Sequence, residues 1–80
     1  MDDETIIKRI NELAHEEHEL VQRRSRQETN DADHERLRRV EVTLDQCWDL
    51  LRQRRARREF GQNPDEAQVR DEKTVEGYIG

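Results

Sequence analysis

Eighty residues, 30% of them hydrophobic and 44% charged, allow one thin domain and exclude a large self-sufficient core. A formal net charge of −5 argues against a general nucleic-acid binder, although local patches can still attract anions. The single cysteine, Cys47, excludes an internal disulfide framework, and its place in an apolar stripe predicts a reduced, buried thiol.

Asp2 and Asp3 offer a cap for a first helix, and acidic residues in a first turn suit the helix dipole. From there Ile6, Ile10, Leu13, Glu17, Leu20 and Arg24 follow an alternating 4–3 spacing, with Ile7, Ala14 and Val21 beside them. That pattern is a coiled-coil seam with a wider apolar flank, and it predicts a helix over about 3–27. Residues 28–32 read as the turn, in a polar segment where Asn30, Asp31 or Asp33 can cap a second helix. Leu37, Val40, Leu44, Cys47, Leu51, Arg54 and Arg58 resume the spacing, with Trp48 on the flank, and predict that helix over about 33–60. Gly61 suits a helix stop after an arginine-rich last turn.

If the chain reverses near Asn30, facing residues have numbers adding to about 60, and the two stripes then meet along their length. Ile6 meets Arg54, Ile10 meets Leu51, Leu13 meets Cys47, and Leu20 meets Val40. The expectation is an all-α fold, an antiparallel two-helix hairpin over residues 1–61. A lone hairpin leaves half of each stripe wet, and the flank of Ile7, Ala14, Val21 and Trp48 needs cover. A second copy is the simplest source, giving a homodimeric four-helix bundle with Trp48 as a packing anchor. Residues 62–80 form an acidic tail. Asn63 and Pro64 start a short helix there, expected to reach Arg70, and Val75, Tyr78 and Ile79 are apolar residues that either dock or await a partner.

No stretch approaches the roughly 20 apolar residues that span a bilayer, and the start is acidic rather than basic as in a signal peptide. A cytoplasmic protein without membrane contact is expected. Candidate chemistry is sparse. The run Arg52, Arg54, Arg55, Arg57 and Arg58 falls beside Asp2, Asp3 and Glu4 in the hairpin, so its charge is expected to be neutralised. Arg23, Arg24 and Arg26 come alongside Arg36, Arg38 and Arg39 at the loop end, a better anion site. Glu12-x-x-His15 and His15-Glu16-Glu17-His18 have the residue types of carboxylate-bridged di-iron bundles, but the opposite seam offers Val40, Leu44 and Cys47. No metal and no cofactor is therefore expected, with a di-iron carboxylate bundle as the remote alternative. With no glycine-rich loop, no strand and no histidine level with Cys47, the chain reads as non-enzymatic.

The string from Leu44 to Gly61, centred on Cys47-Trp48-Asp49-Leu50-Leu51-Arg52-Gln53-Arg54-Arg55, is distinctive. With Ile10 to Leu13, Glu16 to His18 and the ending Val75 to Tyr78, it resembles the actinobacterial family catalogued as domain of unknown function 2630. The resemblance covers nearly the whole chain and implies a bacterial cytosolic protein, with no activity to transfer. A second resemblance is to the helical-hairpin anti-sigma factors that depend on cyclic di-GMP. Glu16, Arg23, Gln27 and Asp31 match four of the five positions of their motif, while Leu20 stands where that motif has serine. It implies cyclic-dinucleotide binding through Glu16, Arg23 and Gln27, with Arg24, Arg36 and Arg39 nearby. The leading expectation is an interaction module that pairs with itself and with an unidentified protein partner, using the loop-end arginines and the tail.

Overall fold

Helix α1 (Asp3–Ser25) and helix α2 (Asp31–Glu59) pack against each other as an antiparallel hairpin, with no strand among the described residues. The computed structural model describes residues 2–28 and 30–76, the side chains of Thr74 and Glu76 excepted. Tyr78 and Ile79, two of the three tail apolars, lie outside the described residues.

Each helix end has a local cause. The Asp2 carboxylate accepts from the Thr5 amide at 2.8 Å and caps α1. α1 stops at Ser25 because Gln27 turns left-handed, with φ of +59°. The Glu28 amide then donates to the Arg23 carbonyl at 2.9 Å, and the Gln27 amide to that of Arg24 at 3.0 Å. This closing loop usually carries glycine, and a side chain in the left-handed region is a local cost. Asn30 and Asp33 cap α2 reciprocally: the Asp33 amide donates to Asn30 Oδ1 at 3.0 Å, and the Asn30 amide to Asp33 Oδ2 at 3.4 Å. Gly61, with φ of +70°, ends α2 by the same closing geometry as Gln27, here without a side-chain penalty.

The seam is the core. Ile6, Ile10, Leu13, Leu20, Leu37, Val40, Leu44 and Leu51 are all buried, with Leu50 joining them and Cys47 and Val21 half-buried beside them. The thiol of Cys47 is thus less enclosed than the stripe alone predicts. The register also differs from the expected one. The helices end and begin at Ser25 and Asp31, and Arg54 reaches Asp3 at 2.6 Å, so facing numbers add to about 56 rather than 60. The two registers differ by one helical turn. Stripes with 4–3 spacing match equally well in both, and the Asn30 cap selects the lower one.

The tail is a strap along α2. Pro64–Glu66 is a single 3-10 turn capped by Asn63, whose side chain accepts from the Asp65 amide at 3.0 Å. The helix expected to continue to Arg70 does not form. Instead Gln53 Nε2 donates to the Gln68 carbonyl at 2.8 Å and Gln46 Nε2 to the Arg70 carbonyl at 3.1 Å. Those carbonyls bond sideways to α2 rather than along a helix. A short helix α3 (Glu72–Glu76) follows and buries Val75 to 2% exposure. The whole is a rod about 49 Å long and 16 Å thick.

Candidate functional site

The open end of the hairpin is fastened by one arginine. Arg54 sits on the seam at 6% exposure, a depth at which a guanidinium needs partners. Its Nε donates to Asp3 Oδ1 at 2.6 Å, and its Nη1 to the Pro64 carbonyl at 3.1 Å and Asp65 Oδ1 at 3.0 Å. One side chain therefore ties the start of α1, the end of α2 and the start of the tail. Arg58 also bonds Asp3, and Arg57 lies 3.6 Å from Glu66. The hydrogen bonds from Arg58 and Arg54 hold the Asp3 carboxyl down at about 2. At least three of the five arginines between 52 and 58, Arg54, Arg57 and Arg58, are thus committed to the chain's own carboxylates.

The loop-end arginines are divided in the same way. Arg36 grips Glu16 with two nitrogens, Nη2 to Oε2 at 2.9 Å, which lowers the Glu16 pKa and raises that of Arg36. Arg23 pairs with Asp33 at 3.1 Å and Arg39 with Glu35 at 2.9 Å. Arg38 points to the tail and pairs with Glu72 at 2.7 Å. Arg24 and Arg26 are exposed and make no ion pair among the described residues. Gln27 lies in the left-handed turn and Asp31 in the first turn of α2. A ligand engaging Glu16 and Arg23 has to displace two ion pairs, and Gln27 follows the end of α1 rather than extending its face.

Among the described residues, no three His, Cys, Asp or Glu side chains gather in a way that could hold a metal ion. His15 pairs with Glu19 at 3.2 Å on the exposed surface of α1, and among the described residues no helix is long and apolar enough to cross a membrane.

What stands out is the contrast between the two sides of α2. The side under the tail carries Gln46, Asp49, Leu50 and Gln53, none of which belongs to the predicted seam. Asp49 is 3% exposed, accepts from Gln53 Nε2 at 2.8 Å and lies 3.6 Å from Arg70. Leu50 is buried and lines a shallow groove with Arg9, Thr43, Gln46, Cys47 and Val69. Burial raises the pKa of the Cys47 thiol there, which favours its protonated form. These positions leave little trace in hydropathy, because three are polar and the two glutamines among them bond to backbone; only Leu50, beside Leu51, hints at a second buried edge. The other side carries Trp48, still 47% exposed. Ile7, on α1 at nearly the same level in the observed register, is 46% exposed. Phe60, at the end of α2, is also exposed.

Comparison with known proteins places the chain but not its activity. It is 60% identical over 48 residues to the uncharacterized protein Rv0898c of Mycobacterium tuberculosis, a match covering 60% of this chain and 55% of that protein. The same identity and coverage hold for the uncharacterized protein Mb0922c of Mycobacterium bovis. The chain thus spans about half the length of the curated relatives it matches. No solved structure matches it. The family model described as "Protein of unknown function (DUF2630)" matches residues 2–80, and the chain belongs to that family.

Proposed function

We propose that the protein is a non-enzymatic interaction module whose working unit is a homodimeric four-helix bundle in the cytoplasm. The observation that carries this reading is the pairing of two half-exposed apolar side chains, Trp48 and Ile7, at one level of a hairpin whose other side is already strapped by its own tail. A large aromatic left half in water is the usual centre of a protein contact rather than of a fold. A thin core in so short a chain gives a second copy a further reason to bind. Four of the six loop-end arginines are already paired and the tail is docked, which favours contact through this bare side over contact through either of those.

Sedimentation of the full chain tests it. The expected mass is that of a dimer, shifting towards the monomer in Trp48→Ala while the helical signal is retained. A wild-type chain that stays monomeric overturns the dimer, and a Trp48→Ala chain that dimerises as well as wild type removes Trp48 as its anchor.

A further inference from the structure

The bare side of α2 carries a second stripe with coiled-coil spacing, distinct from the seam that faces α1. Glu41, Asp45, Trp48, Arg52 and Arg55 recur at intervals of four, three, four and three. All five lie on α2, so they share one side of a continuous helix. Their order is acid, acid, tryptophan, base, base. From the reading that the chain is a homodimer, we infer its geometry: α2 pairs antiparallel with the α2 of a second copy, about a twofold axis passing beside Trp48.

The charge order carries the inference. In an isologous contact of antiparallel helices, a residue some distance before the axis faces the one the same distance after it on the other copy. With the axis at Trp48, Glu41 lies seven residues before it and faces Arg55, seven residues after it, of the second copy. That opposition occurs twice by symmetry. A parallel pairing would instead set Glu41 against Glu41 and Arg55 against Arg55, and like charges in register oppose association. The stripe is therefore complementary to itself in one orientation only.

The surroundings fit the same occupant. Glu41 and Arg55 are exposed and make no ion pair among the described residues, unlike the arginines that hold Asp3 and Glu16. Trp48 at the centre and charges on either side reproduce the apolar core and polar rim of a specific contact. Ile7 lies at the level of the axis in the observed register, so α1 extends the apolar centre without obstructing it. The tail runs along the far side of α2, held by Gln46 and Gln53, and leaves Glu41, Trp48 and Arg55 exposed, while Asp45 is half-buried and Arg52 lines a groove with Arg70 of the tail.

Charge reversal tests the pairing on the full chain. Glu41→Arg and Arg55→Glu each set like charges together at two symmetric places, and each is expected to weaken dimerisation about tenfold in sedimentation equilibrium. An equimolar mixture of the two variants restores both oppositions, so heterodimers should form with near wild-type affinity. The double variant Glu41→Arg/Arg55→Glu should likewise recover the homodimer. Single variants that dimerise like wild type, or a mixture and double variant no tighter than the singles, overturn the antiparallel α2 pairing while leaving the dimer standing. A wild-type chain that remains monomeric removes the dimer itself, and this geometry with it.

Discussion

The two sides of α2 that flank the seam are both predominantly polar, yet one is covered and the other bare. The covered side offers Gln46 and Gln53, seven residues apart, whose amides donate to carbonyls of an extended chain. It also offers Leu50 as an apolar floor and Asp49 as a partner for Arg70. The bare side has the larger apolar group, Trp48, but its neighbours are carboxylates and guanidiniums. Guanidiniums can donate to a backbone, as Arg54 does, but carboxylates cannot satisfy its carbonyls. An unwound tail must satisfy its own backbone before it can cover anything. It therefore follows the glutamines and leaves the tryptophan half in water.

That contrast can be broken most directly at Leu50. Leu50→Ala is expected to cost about 3 kcal/mol of folding stability, through lost burial and a cavity beneath the tail. Trp48→Ala, measured in denaturant at concentrations low enough to keep the chain monomeric, should cost less than about 1 kcal/mol. Equal losses at the two positions would mean that the sides do not differ as described. A finer cut is Gln53→Ala, which removes the bond to the Gln68 carbonyl and one to Asp49. It should cost about 1 kcal/mol, and faster amide exchange in residues 67–76 than in the α1–α2 seam would localise the loss to the strap. Uniformly faster exchange would show that the tail is not a separable layer.

The smallest effect is expected at the open end, where Asp3 joins the arginines of α2 to α1. Its carboxyl is held at about 2, below the ordinary 3.8, so its contribution is complete above about pH 4 and disappears as pH falls towards 2. About a third of the side chain is exposed, and solvent screening keeps the contribution modest. Thermal unfolding of wild type and Asp3→Asn should differ at pH 6, with wild type the more stable, and the gap should shrink steadily as pH falls from about 4 through about 2. A gap as large at pH 2 as at pH 6 would assign the role of Asp3 to packing rather than charge.

Much of the architecture is written in the sequence because hydropathy repeats with the helix. The 4–3 spacing of Ile6, Ile10, Leu13 and Leu20 and of Leu37, Val40, Leu44 and Leu51 is enough to specify two helices and the faces they bury. The acidic start and the arginine-rich run likewise specify an electrostatic clasp, since antiparallel helices bring those ends together whatever the exact register. The register itself is not legible in that spacing. A slide of one turn keeps both stripes facing, and the choice comes from the left-handed Gln27 and the Asn30 cap. The strap is not legible either, because its bonds run from polar side chains to backbone and carry no periodic signal. Trp48 shows the division within one residue. Its flanking position is set by spacing alone, but only the path of the tail along the other side decides that it remains half in water.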